Sequence, residues 1–94
     1  MLTTKTIRSR RGDATQLSYD GDAVWVCNSA GYTIGRFGKR GIDVHQPATA
    51  ANCGECLHCT HAPTDLGDWM KFIELMDTHY GVVIPMYATP TRFT

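Results

Sequence analysis

The 94-residue chain carries nine Lys+Arg, nine Asp+Glu and four His, for a formal net charge of zero. With 43% apolar and 19% charged residues, it has the composition of a globular domain, which excludes collagen-like or disordered character. No apolar run approaches the ~20 residues of a membrane span, and residues 1–11 show neither a signal-peptide apolar stretch nor a lipidation motif. The expectation is a single domain over residues 1–94, located in a cytoplasm. A chain of this size buries only ~60–65% of the surface it exposes on unfolding, so its core is small and an additional staple is expected.

Residues 1–8 alternate weakly, Leu2, Thr4 and Thr6 against Thr3, Lys5 and Ile7, and read as an edge strand with residues 1–12 loosely held. Residues 9–22 are rich in turn formers, including Asp20-Gly21, and read as turns. The clearest β signal is Ala-Val-Trp-Val-Cys at 23–27, followed after Asn-Ser-Ala-Gly by a second run at 32–37. Two such runs around a short Gly/Asn connection predict a hairpin. Gly38-Lys39-Arg40-Gly41 is a second turn and 42–45 a third strand, which completes a small antiparallel meander; Trp25, like Trp69, is expected in the core, with an exposed anchor as the alternative for either. Residues 46–52 read as a loop. From 64 to 80, Leu66, Trp69, Met70, Ile73, Met76 and Tyr80 share one face of a 3.6-residue period. This predicts an amphipathic helix with Thr64 as N-cap, Asp65 and Asp68 in its first turn, His79 in its last and Gly81 just beyond its end. Residues 82–84 read as a short strand and 86–94 as a loose tail.

Zero net charge hides an asymmetry. Residues 1–40 carry seven basic and three acidic groups, a balance of +4, whereas residues 41–94 carry two basic and six acidic groups, a balance of −4. This polarity either steers a charged partner or cancels when the halves pack. The stretch from Gly35 to Gly41 is glycine-rich and basic, and Arg36, Lys39 and Arg40 suit phosphate contact. It lacks the Gly-Lys-Ser/Thr ending of a P-loop, and solvated charges on a hairpin turn are the competing reading. Arg8, Arg10 and Arg11 are either a solvated arm or contacts to nucleic acid or an acidic protein surface.

The run Cys53-Gly54-Glu55-Cys56-Leu57-His58-Cys59-Thr60-His61 contains Cys-x-x-Cys twice, with His45 eight residues upstream. A two-residue spacer lets two sulfurs face one ion, and zinc takes four N or S donors in a tetrahedron. Clustered Cys without a secretory signal favours a metal over a disulfide. Five candidates crowd the region: His45, Cys53, Cys56, Cys59 and His61. Cys56 and Cys59 form the knuckle, His45 closes against it, and Cys53 and His61 compete for the fourth position. His58, inside the spacer, is expected to point away. An iron–sulfur cluster using Cys53, Cys56, Cys59 and Cys27 is the weaker alternative, because Asn28 rather than Pro follows Cys27. A thioredoxin-type redox pair lacks its βαβ setting.

A closed four-donor zinc site is structural, since catalytic zinc keeps one position open. Zinc binding of ~10–16 kcal/mol in small modules rivals the whole stability of such a domain. If only three donors bind, metal-dependent hydrolysis becomes available, with Glu55 or Asp43 as base. No paired carboxylates or Ser/His/Asp order demands it, and the His-x-Glu and Pro-Cys-x-x-Cys of zinc deaminases are missing.

Three stretches resemble small uncharacterised Cys/His-containing proteins encoded by phages of actinobacteria. They are residues 34–45 (Ile-Gly-Arg-Phe-Gly-Lys-Arg-Gly-Ile-Asp-Val-His), residues 54–64 (Gly-Glu-Cys-Leu-His-Cys-Thr-His-Ala-Pro-Thr), and residues 68–82 with their Asp-Trp and His-Tyr-Gly-Val. The resemblance spans about the last two-thirds of the chain and brings no known activity. It implies His45, Cys56, Cys59 and His61 as the ligand set, with Cys53 as substitute, and an infected bacterium as the setting. The resulting expectation is an α+β domain, loosely treble-clef-like, built from a small meander, a zinc knuckle and one amphipathic helix. Its expected role is a zinc-stabilised accessory protein that binds a host protein, with inhibition of defence or replication as one outcome. A nucleic-acid-binding, zinc-finger-like regulator is the alternative and a metal-dependent hydrolase the third, so an enzyme is the less favoured class. Zero net charge weighs against a dedicated DNA binder.

Overall fold

The computed structural model describes residues 2–46 and 55–94. Six strands, β1 (Thr3–Arg8), β2 (Ala14–Tyr19), β3 (Val24–Cys27), β4 (Thr33–Gly38), β5 (Gly41–His45) and β6 (Cys56–Thr60), precede one helix, α1 (Leu66–Tyr80), and two single 3-10 turns at Met86–Ala88 and Thr91–Phe93. The strands form one sheet in sequence order, every neighbouring pair antiparallel. The architecture is α+β, as expected, but the meander has six strands rather than three.

Two of the additional strands correct the sequence reading. β2 lies inside the segment read as turns. Its alternation is muted because only Leu17 and Tyr19 are large apolar residues, and pairing with β1 and β3 supplies what its own pattern lacks. The turns around it are built as the composition suggests: the Asp20 carboxylate accepts the N–H groups of Asp22 and Ala23, and the Asn28 side chain those of Ala30 and Tyr32. The other strand is β6, which replaces the expected zinc knuckle. The Cys56–Cys59 segment is extended, paired with β5, and forms an edge of the sheet, so the described residues do not confirm a treble-clef arrangement.

One face of the sheet is the core. Leu17, Val24, Val26, Phe37, Ile42 and Val44 are fully buried there. A register shift beside Cys27 leaves Ile34 as an extra residue in β4, and the resulting bulge buries both Ile34 and Gly35. Gly35 lets the helix come close, since a Cβ there would sit 2.5 Å from the Met76 sulfur and 3.3 Å from the Phe72 ring.

Helix α1 packs on β4 and β5 through Trp69, Phe72 and Met76. The buried stripe is therefore rotated from the predicted one: Phe72 is inside, whereas Leu66 and Met70 are 52% and 59% exposed. The N-cap is Asp65, not Thr64. Its carboxylate accepts the Asp68 N–H while the Asp68 carboxylate accepts the Asp65 N–H, a reciprocal capping box. Thr64 is instead buried, donating its hydroxyl to the Gly38 carbonyl and accepting from Arg92. Gly81 closes the helix in the left-handed conformation at φ 65°.

The segment after the helix is neither a strand nor loose. Val82 and Ile84 are buried without strand pairing, and Ala88 and Pro90 are buried as well. The Thr91 N–H donates to the Gly21 carbonyl, Arg92 lies over the Phe93 ring, and Tyr87 meets Tyr19. Helix and tail thus cover the same face of the sheet. The opposite face carries the alternate residues, including Thr4, Gln16, Ser18, Trp25, Arg36 and Asp43. Trp25 is on this side, half-buried, and not in the core as expected.

Candidate metal centre

Residues three apart in a regular strand point to opposite faces of a sheet, so Cys56 and Cys59 would ordinarily diverge. They do not, because the β5–β6 ladder shifts register: Asp43 pairs with Cys59 and Val44 with His58, but His45 pairs with Cys56. Leu57 is the extra residue. This bulge returns both cysteines to the open face, beside His45. One donor atom from each of His45, Cys56 and Cys59 lies within 4.8 Å of the others.

The two cysteines have Cα atoms 6.2 Å apart and sulfurs in bonding contact, as a disulfide. This corrects the expectation of two free thiolates in a knuckle. The spacing of Cys56 and Cys59 serves a metal only once they are reduced, because each sulfur otherwise satisfies the other. A reduced Cys2His set supplies three of the four donors that zinc takes. Of the two candidates for the fourth place, His61 is exposed and stands outside the group of three, while Cys53 falls outside the described residues.

The surroundings hold His45 in place. The Tyr80 hydroxyl, on the last turn of α1, donates to the His45 carbonyl, and burial raises its pKa above the usual tyrosine value. The Gln46 N–H donates to the Glu55 carbonyl at 2.8 Å, extending the ladder one step past the site. His58 pairs with Val44 on the helix side. Asp43, considered as a base, is engaged: its carboxylate accepts Arg36 Nε at 3.0 Å and Nη2 at 2.6 Å. Glu55 is exposed. Cys27, the fourth ligand of the iron–sulfur alternative, is on β3, two strands from β5, with its sulfur 3.7 Å from the Thr33 hydroxyl.

Arg36, Lys39 and Arg40 lie on β4 and in the β4–β5 turn, next to Trp25. Lys39 is 3.7 Å from the Asp22 carboxylate. The outward position of Trp25 was readable from Val-Trp-Val, where the flanking valines claim the core face and period-two alternation sends the tryptophan to the other. No family model matches the chain, and neither a curated protein nor a solved structure is detectably similar to it.

Proposed function

We propose that the chain is a small metal-stabilised accessory module, holding one zinc ion at His45, Cys56, Cys59 and a fourth donor from Cys53 or His61, and binding a host protein. The observation that carries the metal reading is the convergence of three soft and borderline donors, from two strands, on one point. A Cys2His set with a fourth Cys or His is the donor chemistry of closed structural zinc sites. The ion would tie edge strand β6 to β5, supplying the staple that a core of this size calls for. A protein partner accords with the exposed Leu66 and Met70 on the outer side of α1 and with Met86, 90% exposed. The host setting, and inhibition of defence or replication as the outcome, rest on the resemblance to small actinobacterial phage proteins.

Protein purified anaerobically under reducing conditions should contain one zinc per chain, with no visible iron–sulfur absorption. Cys56→Ser and Cys59→Ser should lose the metal, whereas Cys27→Ser should keep it. Whichever of Cys53→Ser and His61→Ala lowers zinc affinity more identifies the fourth donor. Several irons with inorganic sulfide, or zinc content indifferent to Cys59→Ser, would overturn the reading. For the partner, Leu66→Glu with Met70→Glu should abolish capture of a specific host protein by the zinc-loaded chain without altering its circular dichroism.

A further inference from the structure

We infer that the open face of the sheet binds single-stranded nucleic acid, with a base stacked on Trp25 and the adjoining phosphates on Lys39 and Arg40. The ring of Trp25 is flanked in register by Ser18 on β2 and Arg36 on β4. Together with Arg36, Gly38, Lys39 and Arg40 it lines a shallow pocket of about 330 Å³, room enough for a nucleobase. Gly38 and Gly41 leave the rim of that pocket without side chains. Aromatic platforms beside cationic grooves are how sequence-tolerant single-strand binders work, because every base offers a π face.

The cations are available. Arg40 is exposed and has no carboxylate within 4.0 Å among the described residues. The Lys39–Asp22 pair is 62% and 60% exposed, and such surface pairs hold their partners weakly, so a phosphate can displace the carboxylate. Arg36 is different: Asp43 fixes its guanidinium beside Trp25, which orients it as a second planar surface.

The neutral total charge does not describe this face. Of the six acidic groups of residues 41–94, Asp65 and Asp68 cap α1 beside the β4–β5 turn, where the Thr64 N–H donates to the Lys39 carbonyl, whereas Glu74 and Asp77 lie further along the helix, behind the sheet. A packed layer is about 10 Å thick, more than the ~8 Å screening length at physiological salt, so Glu74 and Asp77 are largely screened from a strand lying on the open face. Arg36 and Trp25 thus share one side of the sheet, and Glu74 and Asp77 lie on the other. A duplex fits less well, since its bases are already stacked and, among the described residues, the open face offers no projecting element for a groove. This inference stands independently of the metal.

The test is a fluorescence titration of the full chain with a short oligothymidylate, about 12 nucleotides, and with a duplex of equal length. Trp69 is 2% exposed, so quenching reports on Trp25. We expect quenching by the single strand, with affinity falling as salt rises. Lys39→Ala with Arg40→Ala should flatten the log K against log salt slope by about 1.4, at ~0.7 for each phosphate no longer neutralised. Trp25→Ala should weaken binding about tenfold, measured by anisotropy of a labelled strand, and Trp25→Phe should weaken it less. Circular dichroism verifies that each variant is folded; if Trp25→Ala is not, Trp25→Phe and the double turn variant decide. No binding in ~100 mM salt, a slope unmoved by the turn variant, or duplex binding as tight as that of the single strand would overturn the inference.

Discussion

Trp69 and Trp25 show how little residue type alone decides. Trp69 is buried edge-on to Phe37, ring centroids 5.0 Å apart, and stacked on Phe72 at 5.8 Å. Its loss would remove a large ring from a core with few others, and Trp69→Ala is expected to destabilise the fold by roughly 3–5 kcal/mol in a urea titration. An effect under ~0.5 kcal/mol would mean a surface position. Trp25, with the same side chain, lies on the opposite side of the sheet because it occupies the other phase of the strand period. Cys27 and Cys59 share the open face but differ in surroundings: one sulfur sits beside a threonine hydroxyl, the other within reach of a histidine and a second cysteine.

At the scale of elements, α1 depends on its first turn. The Asp68 N–H, donating to the Asp65 carboxylate, holds the Asp65 pKa below the ordinary value, and the N–H groups of Ala23 and then Asp22 do the same for Asp20 in the β2–β3 turn. A carboxyl depressed in the folded state binds fewer protons there than in the unfolded chain. Its stabilisation is therefore complete above the ordinary pKa of ~4 and lost as pH falls through the depressed value. Helical circular dichroism should fade on acidification below about pH 4. In Asp65→Ala the melting temperature should be lower at neutral pH and its acid dependence shallower; an unchanged acid profile would place the sensitivity elsewhere. The edge element β6 rests on different physics. Little of its pairing with β5 shows in its composition, and the bulge at Leu57 makes its two cysteines usable by one ion. The Cys-x-x-Cys motif was legible as a metal candidate, but its placement in a strand was not, because a two-residue spacer suits a knuckle turn as well as a bulged strand.

Across the whole molecule, the described residues cover the sheet on one side only, with α1 and residues 82–94. The tail closes over Tyr19, the β2–β3 turn and Phe37 through Tyr87, Thr91 and Phe93, and Arg92 donates to the Thr64 carbonyl and hydroxyl at 2.7 and 2.8 Å. Deleting residues 86–94 is expected to cost roughly 3–5 kcal/mol, from reduced apolar burial and missing charge-assisted hydrogen bonds, and so to leave a largely unfolded chain at 37 °C. A urea midpoint close to that of the intact chain would show that the tail contributes little. The sequence by itself determined the local features: the helix and its glycine stop, the hairpin around Asn28, the turn at Lys39-Arg40, and the Cys/His cluster as the chemically unusual segment. These are set by interactions within a few residues, where periodicity and turn chemistry act. Only the tertiary structure decided that 14–19 is a strand, that Phe72 rather than Met70 faces the core, that the tail is packed, and that Trp25, Arg36, His45, Cys56 and Cys59 share one open face. Those outcomes depend on which strand lies alongside, where a bulge resets the alternation, and what the helix covers, and each is an interaction between residues far apart in the chain.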